Sequence, residues 1–142
     1  MIFQNWRIGQ FLNRDGKTSL LISCIIIDDD RNTTRVFLDI LELMGLEVRG
    51  VGHDGEDAVL LYKEHHPDIA FIDVVMHGTD GFYAAKKIMD FDPDAKIVAV
   101  TADLTTDTLQ KLESIRVHAI IYKPFSQEQI RNVLLEKYKI RL

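Results

Sequence analysis

The sequence contains a single cysteine, and this scarcity excludes one class of protein. Cys24 has no second cysteine to pair with in the 142-residue chain, so no intrachain disulfide can form. A small secreted fold held together by disulfides is therefore excluded. Cys24 lies inside an apolar run, which predicts a small buried hydrophobic residue. The cysteine content fits a reducing, cytoplasmic environment.

Positive charge is also scarce. The formal net charge is −5 and the isoelectric point is near 5.5, and no run of lysine or arginine occurs. Direct binding to nucleic acid or to an anionic membrane usually requires a basic patch. The composition therefore argues against both kinds of partner.

Long hydrophobic runs are missing as well. The longest apolar stretch, residues 20–27, is about the length of a strand and ends in aspartates, so it cannot span a membrane. Residues 1–19 lack the apolar centre of a signal peptide. We interpret them as an N-terminal extension of uncertain order. The remaining 20–142 have the length and the 46% hydrophobic content of one globular domain.

From residue 20 onward, short apolar runs alternate with stretches of helical spacing, a pattern typical of an α/β fold. The sequence predicts five strands over residues 20–27, 47–51, 69–73, 96–101 and 119–122. It predicts five helices over residues 31–45, 54–67, 81–91, 105–114 and 126–138. Short connections and right-handed crossovers favour a doubly wound five-stranded parallel sheet, with the strand 47–51 nearer an edge.

Polar side chains follow four of the predicted strands. The triplet 28–30, Asp-Asp-Asp, follows the first strand, and Asp73, Thr101 and Lys123 stand at the ends of the third, fourth and fifth. Ligands of doubly wound sheets bind at the carboxyl ends of the strands. Converging carboxylates repel each other unless a cation intervenes, and Mg²⁺ prefers such oxygen ligands. A nucleophilic carboxylate, a metal, a lysine and a hydroxyl together indicate chemistry through an aspartyl phosphate.

These residues resemble the receiver domain of two-component response regulators, in particular the stand-alone chemotaxis type. The resemblance rests on the acidic pair after the first strand, on FIDVVMHGTDG, on VTAD and on YKPF, in that order along the chain. It covers roughly residues 22–138. It implies a flavodoxin-like (βα)5 fold with the strand order 2-1-3-4-5.

The resemblance also implies the roles of individual residues. Asp73 would be the phosphoacceptor, and Thr101 and Lys123 would bind oxygens of the phosphoryl group. Pro124 would hold Lys123 in place, often through a cis Lys-Pro bond.

Mg²⁺ would be held by Asp28, Asp29 and Asp73 together with the backbone carbonyl of Val75. Asp30 is left over, and we interpret it as an exposed carboxylate at a helix N-terminus rather than a third acid of the site.

The expected function is that of a phosphorylation-controlled switch that receives a phosphoryl group from a sensor histidine kinase or a phosphotransfer protein. It would catalyse its own phosphorylation and dephosphorylation without turning over an external substrate. Four residues follow Tyr138, so we expect no attached output domain. The output would then be binding to a downstream protein, as a monomer or a dimer.

Two single positions and one pair of positions depart from the usual family pattern. His77 stands where proline is common, and Ile120 stands where an aromatic residue usually accompanies the threonine. Tyr122 stands directly before Lys123, two residues beyond that position. Val75 and Asp103 occupy positions that tune the lifetime of the phosphoryl group in this family. The remaining histidines, His53, His65, His66 and His118, are interpreted as ordinary loop or helix-end residues.

Two other functions remain open from sequence. A phosphohydrolase of the haloacid dehalogenase type also uses an aspartate and Mg²⁺, but Asn32 stands where its motif has threonine or valine. A pseudo-receiver that binds partners without phosphorylation is the second alternative, and the complete set of site residues argues against it.

Overall fold

The computed structural model describes residues 11–12, 18–19, 21–76, 80–103 and 105–142. Five strands form one parallel sheet: β1 (Ser23–Ile27), β2 (Glu47–Gly52), β3 (Ile69–Asp73), β4 (Ile97–Thr101) and β5 (Ala119–Tyr122). The helices are α1 (Arg31–Leu43), α2 (Gly55–His65), α3 (Gly81–Phe91), α4 (Thr106–Ser114) and α5 (Gln127–Tyr138). Two short strands, Phe11–Leu12 and Thr18–Ser19, pair antiparallel within the predicted extension. His77 and Trp6 lie outside the described residues.

The strand order is β2-β1-β3-β4-β5, which confirms the predicted order 2-1-3-4-5 and the edge position of β2. Neighbouring strands are parallel throughout. Every residue of β1, β3 and β4 is buried, because helices cover both faces of the sheet. This burial explains why these strands read in the sequence as continuous apolar runs.

Alternate residues of the strands supply two separate cores. On one face, Ile26 and Phe71 pack with residues of α1 and α5, including Leu41 and Leu134. On the other, Ile27 and Ile72 pack with residues of α2, α3 and α4, including Tyr62, Ile88 and Leu112. Full burial of one such side chain contributes about 1.5–3 kcal/mol, so the two layers fix the sheet and with it the positions of the strand ends.

Two details of the predicted elements were wrong. The first strand begins at Ser23 and not at residue 20, because pairing with β2 starts at Ser23 and Leu21 is 45% exposed. The helical spacing of the apolar residues also predicts a buried Val36 in α1, but Val36 is 55% exposed, whereas Phe37 and Leu41 are buried. Val36 directly precedes Phe37, and successive residues of a helix point about 100° apart.

The helix boundaries follow their caps. Asp54 accepts a hydrogen bond from the backbone N–H of Asp57 and caps α2. Ser126 and Gln129 have the sequence spacing of a capping box, and Ser126 caps α5 by accepting the N–H of Gln129. The box is only half formed, because the Gln129 side chain instead accepts the N–H of Tyr122 at 2.6 Å. This bond joins the start of α5 to the end of β5.

Cys24 is fully buried in β1, as predicted, and burial raises the pKa of its thiol far above the ordinary value. An uncharged thiol in this position behaves as a small apolar side chain. None of the helices in the described ranges has the length and apolar character needed to cross a membrane.

Candidate functional site

The carboxyl ends of four neighbouring strands bring the predicted site residues to one edge of the sheet. Asp28 follows β1, Asp73 ends β3, Thr101 ends β4 and Lys123 follows β5. The strand register aligns these ends, since Ile27 pairs with Ile72 and Asp73 pairs with Val100. We call this side of the sheet the carboxyl edge.

Three carboxylates meet at the carboxyl edge and form the acid cluster: Asp28, Asp29 and Asp73. One oxygen from each lies within 4.8 Å of the others. Asp28 and Asp73 are only 4% and 5% exposed. Two unit charges at this separation repel by on the order of 3 kcal/mol at an effective dielectric constant of 20. The oxygen-only donor set and the excess of negative charge fit a hard divalent cation such as Mg²⁺.

Lys123 places a positive charge against two acids of this cluster. Its Nζ donates to Asp28 Oδ2 at 2.6 Å and to Asp73 Oδ2 at 3.0 Å. Burial on its own lowers the pKa of Lys123, but the hydrogen bonds to these two carboxylates outweigh burial, and the pKa lies above the ordinary lysine value. The lysine therefore stays charged while it bridges Asp28 and Asp73, which stand at the ends of β1 and β3.

Asp73 is held in a partly desolvated environment. Burial raises the pKa of its carboxyl, and the opposing hydrogen bond from Lys123 does not cancel the rise. Its second oxygen, Oδ1, accepts the N–H of Val75 at 3.0 Å. The side chain of Val75 is 52% exposed beside it. One Asp73 oxygen thus faces the lysine and the other is fixed by the following backbone.

The backbone of Asp73 also contacts the start of α3. A Cβ placed on Gly81 would overlap the carbonyl oxygen of Asp73 and lie 2.6 Å from the Cα of Val74. Only glycine permits so close an approach. Asp80, the N-cap of α3, accepts the N–H of Phe82 at 2.8 Å and sets the direction of the helix.

Thr101 is fully buried at the end of β4, and its hydroxyl contacts the following loop. Its Oγ1 accepts the N–H of Asp103 at 2.9 Å. Within the described ranges no hydrogen bond joins the Thr101 side chain to Asp73 or Lys123. The Asp103 carboxylate accepts the N–H of Thr105 at 2.9 Å and the hydroxyl of Thr108 at 2.7 Å. Both bonds lower the pKa of Asp103, and the backbone N–H of Thr105 has the larger effect.

Asp30 is not part of the acid cluster, which confirms its interpretation as a helix-terminal carboxylate. It is exposed and caps α1 by accepting the N–H of Asn32 at 2.9 Å. A hydrogen bond from the Thr33 hydroxyl, followed by backbone N–H bonds, lowers the pKa of Asp30. Its own N–H donates to Asp28 Oδ1 at 2.9 Å, so Asp30 orients Asp28 through the backbone.

His53 and Arg31 are contacts of the site that the sequence interpretation missed. His53 Nδ1 lies 2.9 Å from the carbonyl oxygen of Asp28, and His53 Nε2 lies 3.2 Å from Arg31 Nη1. A carbonyl only accepts and a guanidinium only donates, so Nδ1 carries the proton and Nε2 accepts. The available signal was position: His53 directly follows β2, the neighbour of β1.

In the structure, Tyr122 does not take the place of the aromatic residue that the family pattern has at position 120. Ile120 is partly buried and packs against the α2, α3 and α4 core, whereas Tyr122 is 38% exposed. The peptide bond between Lys123 and Pro124 is cis, as the resemblance implied.

Comparison with known proteins gives the same family as the site residues. The sequence model of the response regulator receiver domain matches residues 24–135. The chain is 35% identical over 112 residues to the chemotaxis protein CheY of Thermotoga maritima, covering 78% of this chain and 92% of that protein. It is 32% identical over 110 residues to the CheY of Bacillus subtilis, covering 75% of this chain and 88% of that protein.

A solved structure has the same fold. The CheX-CheY-BeF3-Mg²⁺ complex from Borrelia burgdorferi contains a chain that superimposes with a TM-score of 0.76 and 25% sequence identity. The alignment covers 87% of this chain and 92% of that chain. The described strands and helices thus match a receiver-domain fold over most of their length.

Proposed function

Because this chain belongs to the response regulator receiver domain family of two-component signalling, we propose that it is a switch controlled by phosphorylation of Asp73. The observation that carries the proposal is the position of Asp73: a buried carboxylate with Lys123 Nζ at 3.0 Å and two further acids beside it. We also propose that residues 20–142 form the receiver domain and 1–19 an extension to it.

The proposed reaction is transfer of a phosphoryl group from a histidine. An Asp73 carboxylate oxygen attacks phosphorus, a P–O bond forms, and the P–N bond to the donor imidazole breaks with its electron pair leaving on nitrogen. Acyl phosphates hydrolyse, so water later returns Asp73 to its free form. Val75 N–H, bonded to Oδ1, keeps one carboxylate oxygen oriented while the other reacts.

Mg²⁺ fits the acid cluster as the cofactor of this reaction. Asp28, Asp29, Asp73 and the backbone carbonyl of Val75 are the residues we expect to hold it. Bound there, the ion would neutralise negative charge on the phosphoryl oxygens. Asp30 N–H and His53 Nδ1–H both donate to Asp28. These bonds fix the position of one of the acids that would hold the ion.

Lys123 and Thr101 are proposed to bind the transferred group. The Lys123 ammonium already bridges Asp28 and Asp73, and its charge would pair with a phosphoryl oxygen once Asp73 is modified. The Thr101 hydroxyl at the next strand end would donate to another oxygen.

The partners follow from this chemistry. The donor is a sensor histidine kinase or a phosphotransfer protein, and the readout is a change in affinity for a downstream protein in the cytoplasm. The Borrelia burgdorferi complex, in which a CheY chain is bound to CheX with BeF3 and Mg²⁺, supports a protein partner for this type of domain.

The test is phosphorylation of the purified chain with acetyl phosphate and Mg²⁺, followed by intact mass. We expect one phosphoryl group per chain, its loss in Asp73→Asn, and its dependence on Mg²⁺. Asp30→Asn is the matched control, because it changes an acid near the site that lies outside the acid cluster, and it should be phosphorylated like the wild type.

Failure to modify Asp73 in the wild type would contradict the proposal and favour a pseudo-receiver. Steady hydrolysis of phosphate esters without accumulation of a modified protein would instead favour the haloacid dehalogenase alternative. That alternative has little support, since the strand order and the family match are those of receiver domains.

A further inference from the structure

The loop between β4 and α4 links the Thr101 hydroxyl to the first turn of the helix through one residue, Asp103. The backbone N–H of Asp103 donates to Thr101 Oγ1. Its carboxylate accepts from Thr105 N–H on one oxygen and from the Thr108 hydroxyl on the other. Asp103 is therefore bonded on one side to the proposed switch residue and on the other to α4.

The hydrogen bond between the Thr108 hydroxyl and the Asp103 carboxylate is partly shielded from solvent. Thr108 is 3% exposed and Asp103 is half-buried. A hydroxyl bonded to a carboxylate is a charge-assisted hydrogen bond, stronger than one between neutral groups. Two anchors on two carboxylate oxygens hold the Asp103 backbone, and with it the N–H that Thr101 accepts, in a fixed position.

Thr101 has few orientations available to its hydroxyl. A β-branched side chain is stiff at χ1, and its staggered positions are about 120° apart. A hydroxyl that turns toward a phosphoryl group on Asp73 moves away from the Asp103 N–H and gives up this hydrogen bond. The energy of the Thr101–Asp103 bond therefore opposes the turn, by an amount that depends on how firmly Asp103 is held.

We propose that Asp103 and Thr108 are positioning residues, which hold the Thr101 hydroxyl in its unphosphorylated orientation and couple its release to the first turn of α4. This rests on the proposed function, since it concerns regulation of the same site. Release of the hydroxyl frees Asp103, and the bonds from Asp103 to Thr105 and Thr108 carry the change into α4. Because coupling is reciprocal, weakening the α4 anchor favours the phosphorylated orientation.

The chain offers a clean variant and a matched control. Thr108→Val keeps the β-branched shape and burial but removes the hydroxyl that binds Asp103. The helix cap survives, because Thr108 N–H still donates to the hydroxyl of Thr105, the N-cap residue. Thr106→Val makes the same change at an exposed position of the same turn, where no bond to Asp103 is formed in the described structure. Thr108→Ser restores the hydroxyl.

The experiment is a titration with beryllium fluoride in saturating Mg²⁺, with bound fluoride followed by ¹⁹F NMR. One lost hydrogen bond corresponds to roughly a threefold or larger change in an equilibrium. We expect the half-saturating concentration to fall by at least about threefold in Thr108→Val, and to stay at the wild-type value in Thr106→Val and Thr108→Ser. Asp103→Ala, which removes both anchors at a half-buried loop position, should change it in the same direction.

Hydrogen exchange of α4 provides the second readout, which a purely structural role would not move selectively. In the wild type, beryllium fluoride should raise exchange of the first-turn amides of α4. In Thr108→Val exchange should be high already and respond little, while α5 exchanges as before. An unchanged titration or an unchanged α4 response in a folded Thr108→Val would overturn the inference. Absence of any adduct in the wild type would overturn the proposed function itself.

Discussion

The two edges of the sheet treat buried polar groups in opposite ways. At the amino edge, where β1 begins, Ser23 N–H and Oγ donate to Asp68 Oδ2 at 2.9 and 3.1 Å, and Asp68 N–H donates back to Ser23 Oγ at 3.0 Å. Tyr138, on α5, donates to the carbonyl of Ile97 at the start of β4. These groups satisfy one another within the chain.

The carboxyl edge also buries polar groups, but acids predominate there. Three carboxylates converge, and Lys123 bonds to two of them, Asp28 and Asp73. Reciprocal hydrogen bonds stabilise a fold, whereas a buried excess of one charge costs stability until a ligand balances it. The amino edge therefore contributes stability to the fold, whereas the carboxyl edge holds the groups that are available for binding and reaction.

The strongest test of this contrast removes the cation. Lys123→Met leaves Asp28 and Asp73 without their common partner, and we expect the free energy of unfolding in Mg²⁺-free buffer to fall by on the order of 3 kcal/mol. Urea unfolding followed by circular dichroism measures it. Lys86→Met is the control, since Lys86 forms an exposed pair with Asp90 at 2.9 Å, and it should change stability by less than about 0.5 kcal/mol. Equal losses in both variants would contradict the contrast.

The second test adds the proposed ligand. Mg²⁺ at 100 times its dissociation constant should stabilise the native chain by about 2.7 kcal/mol, because the unfolded chain has no acid cluster to bind it. Asp29→Asn should lose most of this increment, and Asp30→Asn should keep it. Thermal unfolding with and without Mg²⁺ measures the increment. Retention of the full increment in Asp29→Asn would show that the ion binds elsewhere.

At the amino edge, the test is alkaline pH. Burial raises the pKa of Tyr138 to about 12. The unfolded chain therefore loses the phenol proton first, so stability present below pH 10 is lost as the pH rises to 12. We expect a loss of on the order of 2 kcal/mol across this window. Tyr138→Phe should lack that slope, as measured by urea unfolding at both pH values.

The smallest effect is expected from the reciprocal Ser23–Asp68 pair. Ser23→Ala removes a fully buried hydroxyl and leaves Asp68 N–H unpaired, which should cost about 1–2 kcal/mol in free energy of unfolding. Mg²⁺ binding and phosphorylation should stay at wild-type levels. Ser114→Ala, which removes an exposed hydroxyl bonded to the Lys111 carbonyl, is the control. Altered phosphorylation in Ser23→Ala would mean that the two edges are not independent.

Most of the fold could be predicted because buried parallel strands leave a simple signal. The runs that became β1, β3 and β4 are apolar except for one polar residue at an end of each, and the helices have capping residues that the sequence displays, such as Asp54 and Ser126. The strand order came from the resemblance and was confirmed. Errors fell where a local pattern lacks tertiary information: Leu21, which lies outside the pairing, and Val36, at the border of a helical stripe.

The site could be predicted only at the level of strand ends. Topology brings Asp28, Asp73, Thr101 and Lys123 to one edge, but the shared lysine bond depends on side-chain reach that spacing does not encode. The contact of His53 with the site was not predicted, because its partner is a backbone carbonyl. Every residue has such a carbonyl, so the sequence does not mark this one. The Gln129 bond to Tyr122 was missed because the capping-box pattern favoured a more local partner.

The approach of Gly81 to Asp73 has a mechanical consequence. With no side chain between them, the origin of α3 rests directly on the peptide that carries the acid. A shift of that peptide would therefore press directly on the first turn of the eleven-residue helix. The positions of the Asp73 peptide and of α3 are thus coupled through the backbone, without any side chain between them.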